Sequence, residues 1–258
     1  MSALDYVECF MYAFFSNELP QEPAKIPPFN LVVDDLEWKV SKNRAPPRQQ
    51  SIVKQIALFK TLQTLVSQGI VEKSQSPHYS QILTIPKPGG TFRMCVDYRA
   101  LNDCTSDASW PIPNIAEMLR RIGNQKPKIF GIIVDLTQGY HQAPLTYATR
   151  AYTAFITFSG VYQFTRLPFG PKRAPLYFQE IMATVVLAGL MCMICEMYID
   201  DCNVFADNNI EFVSRVRQIL ERFRKHNLYL KASKCFFGSS EIESVGKVVS
   251  EEGLKVSL

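Results

Sequence analysis

Apolar residues recur at helical spacing in several segments of the chain. The first segment follows Ser51, which is suited to an N-cap, and stops at Gly69, which is suited to end a helix. Its apolar residues fall at helical intervals: Ile52, Ile56, Phe59 and Val66. A second segment, from about Pro113 to Gly123, has a comparable set: Ile115, Met118, Leu119 and Ile122. Both segments are therefore predicted to be helices with an apolar face.

Two further helices are predicted nearer the C-terminus. Pro175 suits the first turn of one of them. The other is amphipathic, and its apolar residues share one face: Phe212, Val213, Val216, Ile219, Leu220 and Phe223. Residues 18–50, by contrast, are rich in proline and charge and show little periodicity. They are predicted to be an extended lead-in.

Short apolar runs bounded by turn residues predict strands between these helices. The clearest is the continuous run Ile129–Val134, typical of a strand buried on both faces, which ends at Asp135. Two hairpins are predicted, with turns at Lys87–Gly90 and Ser159-Gly160. The other predicted strands are Gln81–Ile85, Arg93–Tyr98, Ala154–Phe158, Val161–Arg166, Met191–Tyr198, Asn203–Ala206 and a final pair around Gly246.

Helices and strands thus alternate irregularly, with hairpins among them. This order predicts an α+β fold built on a mostly antiparallel sheet with helices on one face, in a split βαβ arrangement. With 258 residues, of which 47% are hydrophobic and 20% charged, the chain can bury a globular core. The formal net charge of +4 is compatible with a polyanionic partner but does not establish one.

The cysteines and the apolar runs indicate the cellular compartment of the protein. Seven scattered cysteines without a short-chain framework favour a reducing compartment. Cys192 and Cys195 lie in a predicted strand, where positions three apart face opposite sides, so core packing is favoured over a zinc site. The N-terminus lacks signal-peptide features, and the longest apolar run, Ile181–Cys195, is short for a membrane span. We expect an intracellular protein, either cytoplasmic or associated with a particle or the nucleus, and not a secreted one.

Aspartates lie at two places in the sequence where their charge could have a chemical role. Asp200 and Asp201 lie in a predicted turn, where aspartates are common because they tolerate the backbone. Asp135 ends a strand with no other charge, a costly place for an anion without a partner. If the strands are neighbours, the three carboxylates converge and divalent cations would relieve their repulsion. Two Mg²⁺ ions, with Mn²⁺ as the alternative, could promote an in-line phosphoryl displacement from there.

The segments around these aspartates resemble the two metal-binding motifs of reverse transcriptases. Three further segments resemble the fingers motif, the template- and nucleotide-contacting loop and the primer grip of that family. In chain order the five are 92–102 (FRMCVDYRALN), 134–142 (VDLTQGYHQ), 167–175 (LPFGPKRAP), 198–201 (YIDD) and 245–253 (VGKVVSEEG). The resemblance runs from about Leu31 to Leu254 and is nearest to gypsy-type long-terminal-repeat retrotransposons. Five motifs in the family's order are far more specific than one.

The resemblance implies an RNA-directed DNA polymerase. Such an enzyme extends a DNA or RNA primer on an RNA or DNA template, with dNTPs as substrates and two Mg²⁺ ions. Asp135 and Asp200 would bridge the metals, Asp201 would complete the cluster, and the backbone carbonyl of Leu136 would be a further ligand. His141 is given no catalytic role, because the metals can acidify the primer hydroxyl without it.

The resemblance also implies contacts to the nucleotide and the nucleic acid. Lys87 and Arg93 would hold the triphosphate, although a solvated surface pair stays open for Lys87. Tyr140 would exclude a ribose 2′-OH by its bulk, and Phe169 would line the same pocket. The residues implied to face template or primer are Gly170, Tyr198 and Gly246.

The family's organisation divides the chain into structural regions. The resemblance implies a lead-in at 1–50, fingers at 51–106 and 143–173, a palm with its primer grip at 107–142 and 174–250, and a truncated end before the thumb at 251–258. The thumb and RNase H regions are expected to lie in the rest of a polyprotein.

Some positions depart from the family's pattern. Pro171 and Arg173 stand where relatives usually carry an apolar residue and asparagine, and Ser244 and Lys247 depart in the primer grip. These departures leave open a catalytically silent or domesticated fragment that only binds nucleic acid. An RNA-directed RNA polymerase is a third option, against which Tyr140 and the 167–175 loop argue.

Overall fold

The computed structural model describes residues 19–107, 110–134, 136–199, 201–244 and 246–256. Its α-helices are α1 (Asp35–Trp38), α2 (Ile52–Ser67), α3 (Arg99–Asp103), α4 (Ile115–Asn124), α5 (Gly139–Gln142), α6 (Tyr147–Tyr152), α7 (Ala174–Ile181) and α8 (Asn209–Lys225). Its strands are β1 (Val71–Lys73), β2 (Gln81–Pro86), β3 (Phe92–Asp97), β4 (Ile129–Val134), β5 (Phe155–Thr157), β6 (Gly160–Phe164), β7 (Cys195–Tyr198), β8 (Asp201–Ala206), β9 (Cys235–Ser239), β10 (Glu241–Ser244), β11 (Lys247–Ser250) and β12 (Gly253–Val256). Short 3₁₀ turns cover Ser41–Arg44 and Ala232–Lys234, and a π-helical turn extends α7 over Met182–Val186.

A four-stranded antiparallel sheet, the central sheet, has the strand order β7-β8-β4-β9. The predicted strand at Ile129–Val134 is confirmed as β4, an inner strand of this sheet. The described residues also form three smaller sheets: the β1-β6-β5 sheet, the β2–β3 ribbon and the β10-β11-β12 sheet. The predicted α+β class with mostly antiparallel pairing is confirmed.

Alternation along β4 decides what packs on each face of the central sheet. Phe130 is fully buried in a cluster with Met118 and Ile122 of α4. Gly131 faces the other way, where a Cβ would lie 2.7 Å from Cζ of Phe212 in α8. Helix α8 therefore covers one face, and α4 covers the opposite face together with the β10-β11-β12 sheet, so the prediction of helices on one face only is wrong.

The first predicted helix is confirmed as α2, but its predicted apolar face is wrong. Ile52, Ile56 and Phe59 are exposed, and the buried residues are Leu58 and Leu62. The sequence IVKQIALFKTLQTLVS carries apolar residues on more than one side of the helix. Its periodicity therefore could not specify which side the neighbouring strands β1 and β3 would cover.

The predicted strand Met191–Tyr198 is too long, because only Cys195–Tyr198 is extended. The preceding residues form turns, in which Cys192 has φ +64° and its N–H donates to the carbonyl of Cys195 at 2.9 Å. Core packing is thus confirmed for Cys195 and wrong for Cys192, which is exposed. The apolar character of these residues therefore indicated neither an extended backbone nor burial, since Met193 is also exposed.

The lead-in is more structured than predicted. Asp34 accepts hydrogen bonds from the N–H groups of Leu36 and Glu37 and so caps α1, whose last residue, Trp38, is buried. The N–H of Phe29 donates to the carbonyl of Pro144 at 2.8 Å. Tertiary packing, which leaves no local periodicity, therefore orders this part of the chain.

Other boundaries differ by small amounts or add strands. The predicted hairpin turns at Phe158-Ser159, one residue earlier than expected, because Thr157 pairs with Gly160 and its hydroxyl accepts from the N–H of Ser159. The final pair around Gly246 is a three-stranded sheet. Strands β1 and β9 were not predicted, and β9 adds an edge to the central sheet.

A buried ion pair ties α4 to the central sheet. The guanidinium of Arg121 donates to both carboxylate oxygens of Glu196, at 2.6 and 2.9 Å. These hydrogen bonds raise the pKa of Arg121 above its ordinary value. Glu196 lies in β7, and its side chain is only 1% exposed. Its charge therefore depends on Arg121 for compensation.

We expect Arg121→Met to lower the free energy of unfolding by about 2–3 kcal/mol, because it leaves the buried carboxylate of Glu196 without a partner. The loss is moderate because Arg121 itself is partly exposed. Urea denaturation measures this change. The matched control is Arg120→Met, which removes an exposed pair with Glu117 and should leave stability nearly unchanged. Equal losses for the two variants would contradict the buried role of Glu196.

Candidate active site

Two strand ends carrying acidic motifs meet at one end of the central sheet. Val134, the last residue of β4, pairs with Asp201, the first residue of β8. Asp201 also pairs with Tyr198, the last residue of β7, across a two-residue turn. The other two predicted carboxylate ligands, Asp135 and Asp200, lie outside the described residues. The structure thus brings their immediate neighbours together.

The backbone that follows β4 is fixed by a buried glutamine. The side chain of Leu136 is buried, and its backbone forms an isolated β-bridge with Leu230. Gln142 is fully buried, and its Nε2 donates to the carbonyl of Thr137 at 2.9 Å and to that of Tyr229 at 2.8 Å. Its Oε1 accepts from the N–H of Tyr229 at 2.7 Å. The sequence contains Gln142 within VDLTQGYHQ, but the motif alone did not suggest this clamp.

The turn between β7 and β8 has an unusual backbone. Ile199 has φ +54°, in the left-handed region that a β-branched residue rarely adopts. Its N–H donates to the side chain of Gln179 in α7 at 2.6 Å. Gln179 has no role in the predicted site, and its partner is backbone 20 residues away. No local pattern could have indicated it.

An aromatic group lies beside the segment that follows β4. The ring centroid of Tyr140 is 5.1 Å from that of Phe169 and 5.6 Å from that of Phe178. Tyr140 is half-buried, whereas Phe169 is 57% exposed. The structure thus brings together two of the predicted nucleotide-binding residues, with an apolar ring open to solvent.

The predicted template-contacting loop is anchored by an asparagine. Asn102 donates from Nδ2 to the carbonyl of Gly170 at 3.0 Å and accepts at Oδ1 from the N–H of Lys172 at 2.8 Å. Gly170 has φ +114°, and a Cβ there would lie 3.0 Å from the ring of Tyr98. Both the backbone conformation and this close approach require glycine. Asn102 stands in the predicted fingers motif, but its contact with the loop was not foreseen.

The remaining predicted site residues lie in other sheets. Arg93 is exposed in β3, and Lys87 is exposed directly after β2, where its N–H donates to the carbonyl of Thr91 at 2.8 Å. Gly246 lies in the exposed turn between β10 and β11 with φ +72°. These residues are thus placed on separate elements, and their approach to the strand ends stays a prediction.

Among the described residues, which do not include Asp135 and Asp200, no three histidine, cysteine, aspartate or glutamate side chains cluster as metal ligands. Across the same residues, no helix has both the length and the apolar character that crossing a bilayer demands.

Relatives of known type match most of the chain. The "Retrovirus-related Pol polyprotein from transposon opus" of Drosophila melanogaster is 36% identical over 196 residues, which cover 74% of this chain and 19% of the relative. That from transposon 297 of the same organism is 31% identical over 206 residues, 78% of this chain and 19% of the relative. The chain therefore spans about a fifth of the length of these curated relatives.

Solved structures share the fold. The foamy viral protease-reverse transcriptase in complex with dsDNA superposes with a TM-score of 0.81 at 20% identity, covering 98% of this chain and 51% of that one. The same viral protein in complex with an RNA/DNA hybrid gives a TM-score of 0.80, covering 98% of this chain and 33% of that one. At this identity the likeness establishes the fold alone.

A family model adds the decisive match. The model described as "Reverse transcriptase (RNA-dependent DNA polymerase)" matches residues 85–249, well over half of the chain. These residues include the strand ends, the aromatic group and the loop described above. The chain belongs to the reverse transcriptase family, and its relatives include Pol polyproteins of gypsy-type and other long-terminal-repeat retrotransposons.

Proposed function

We propose that this chain forms the fingers and palm of an RNA-directed DNA polymerase that transfers a nucleotide from a dNTP to a primer 3′-OH. The observation that carries the proposal is the pairing of Val134 with Asp201. Asp135 directly follows Val134, and Asp200 directly precedes Asp201. Their neighbours are register partners on adjacent strands, which supports a convergent acidic site at this end of the sheet.

The donor set fits a divalent metal. Three carboxylates, from Asp135, Asp200 and Asp201, and the backbone carbonyl of Leu136 are hard oxygen ligands of the kind that Mg²⁺ prefers. Mn²⁺ is the alternative. Two bound ions would offset phosphate charge and acidify the primer hydroxyl. The buried side chain of Leu136 and its bridge to Leu230 support a fixed position for the adjoining backbone.

The aromatic group supplies a surface for the nucleotide. The exposed ring of Phe169 offers an apolar face, and Tyr140 packs against it. Because Phe178 supports Tyr140 from another side, the phenol ring has little freedom to move away. We assign to Tyr140 the steric exclusion of a ribose 2′-OH, which would select dNTPs by a clash.

The remaining contacts follow from charge and backbone shape. Lys87 and Arg93 on the ribbon would hold the triphosphate, and the planar guanidinium of Arg93 suits phosphate oxygens. Gly170, Tyr198 and Gly246 would face template or primer. In this assignment the fingers comprise 51–106 and 143–173, and the palm comprises 107–142 and 174–250. RNA or DNA templates and DNA or RNA primers are the proposed partners, with thumb and RNase H elsewhere in the polyprotein.

His141 plays no part in proton transfer in this proposal. Its ring is buried, stacks on Phe164 with centroids 5.8 Å apart, and contacts the carbonyl of Leu167 through Nδ1 at 3.1 Å. Burial lowers the pKa of His141 to about 4. The ring is therefore neutral near pH 7 and serves to hold the start of the 167–175 loop.

We expect Asp201→Asn to reduce primer extension on poly(rA)/oligo(dT) by at least ~100-fold, the scale of losing one group that stabilises transition-state charge. The matched control is Asp207→Asn, an exposed aspartate just beyond the other end of β8, which should retain extension. Gel-resolved single-nucleotide addition with Mg²⁺ measures both. A native chain that binds primer–template yet adds no nucleotide would support the silent fragment instead.

Tyr140→Ala should raise the use of rNTPs relative to dNTPs by at least ~10-fold, because it removes the bulk that meets the 2′-OH. The ratio of single-turnover efficiencies for UTP and dTTP measures the effect. Tyr147→Ala is the control, since Tyr147 is a strongly exposed tyrosine in the neighbouring helix α6. An equal change for both sugars would make Tyr140 a packing residue.

The stability of the fold should fall as the pH drops from about 6.5 to 4. In this window His141 becomes protonated in the unfolded chain, where its pKa is the ordinary value near 6.5, while buried His141 of the folded chain stays neutral. The unfolded state then binds more protons, so stability rises with pH, by up to about 3 kcal/mol across the window. Urea denaturation measures the free energy of unfolding at each pH. The part of the pH dependence that comes from His141 should vanish in His141→Gln and persist in His226→Gln.

A further inference from the structure

A buried amide reaches from α7 to the turn between β7 and β8. The side chain of Gln179 is 1% exposed. Its Oε1 accepts from the N–H of Ile199 at 2.6 Å, and its Nε2 donates to the carbonyl of Met197 at 3.3 Å. Only this orientation of the amide satisfies both backbone groups, since one is a donor and the other an acceptor.

The contacted residue is the one with the strained backbone. Ile199 adopts φ +54°, and such conformations persist only where the surrounding structure determines them. The N–H of that same residue donates the hydrogen bond to Oε1 of Gln179. Ile199 directly precedes Asp200 and Asp201 in the sequence. The amide therefore acts on the backbone that leads into the acidic motif.

Packing alone does not explain a glutamine at this place. Its neighbours in α7, Phe178 and Ile181, and the following Met182 are buried apolar residues of the same core cluster. A buried amide loses its hydrogen bonds to water, and here the bonds to Met197 and Ile199 replace them. An apolar side chain of similar length would fill the space without that cost.

We propose that Gln179 is a positioning residue, which holds the β7–β8 turn in its left-handed conformation and so sets the placement of Asp200 and Asp201. The inference about the reaction rests on the proposed function. Gln179 bonds only to backbone at the turn, through Met197 and Ile199. Its effect should therefore appear in the rate of the chemical step and not in the affinity for nucleotide.

Two substitutions separate the contacts. Gln179→Met keeps the length of the side chain and removes both hydrogen bonds. Gln179→Glu keeps an acceptor for the N–H of Ile199 and removes the donor to Met197. A matched control is Gln81→Met, because Gln81 donates from Nε2 to the carbonyls of Ala45 and Pro46, far along the chain from the turn.

Amide hydrogen exchange, read by mass spectrometry on peptides that contain Ile199, tests the turn without any need for activity. In Gln179→Met, the amides of these peptides should exchange at least ~10-fold faster than in the native chain, because the loss of one hydrogen bond has an effect of this size. Gln179→Glu should stay close to native, and Gln81→Met should leave these peptides unchanged. Native exchange in Gln179→Met would overturn the inference.

Single-turnover addition of the first dNTP tests the link to the reaction. Gln179→Met should lower the maximal rate at least ~10-fold, with dNTP half-saturation within about 3-fold of native. Gln179→Glu should retain more of the rate than Gln179→Met. The positioning role would be overturned if Gln179→Met lost no more rate than Gln81→Met. It would also be overturned if only the dNTP concentration at half-saturation changed.

The two readouts distinguish the failures. If the native chain adds no nucleotide, the proposed function fails, and exchange alone decides whether Gln179 holds the turn. If Gln179→Met does not fold, the exchange of Gln179→Glu decides whether residue 179 holds the turn. That variant keeps the acceptor for the N–H of Ile199, so fast exchange there would contradict the hydrogen bond to Ile199. Faster exchange in Gln179→Met with an unchanged rate would reject the effect on the reaction.

Discussion

The antiparallel register between β4 and β8 is the constraint on which the rest of the site depends. Phe130 pairs with Phe205, and both are buried against α4. The same register sets Val134 against Asp201 at the other end of the strands. A slip of one residue would turn every side chain of β4 to the opposite face and would take Phe130 out of its core. The hydrophobic core therefore fixes which residues meet where the acidic motifs lie.

Polar contacts then refine what the hydrophobic core fixes only coarsely. Gln142 clamps the backbone beyond β4, Gln179 holds the turn before β8, and Arg121 pairs with buried Glu196 in β7. Each contact buries a group that would otherwise be solvated, so each is stable only with its partners in place. Such contacts specify a single geometry more narrowly than apolar packing does, which suits the convergent acidic site that we propose.

The elements that sequence predicted best are those with strong local periodicity. The strand at Ile129–Val134 and the helix with Phe212 among its buried residues follow from local pattern, and both are confirmed. Failures occurred where tertiary context decides, as in the buried face of α2 and the burial of Trp38. The contact of Gln179 with a distant backbone N–H left no local trace either. The family motifs suggested the site residues, and the structure described the elements that carry most of them.

The proposed mechanism requires that the acidic residues next to Val134 and Asp201 share metal ions. Diffraction at the manganese edge, from crystals of the chain with primer–template, dNTP and Mn²⁺, tests it most directly. We predict anomalous peaks at the joined ends of β4 and β8, with the carboxylates of Asp135 and Asp200 coordinating the same ion. Carboxyl groups of Asp135 and Asp200 more than about 8 Å apart, with manganese bound elsewhere or not at all, would contradict it, since bridging ligands must reach one ion together.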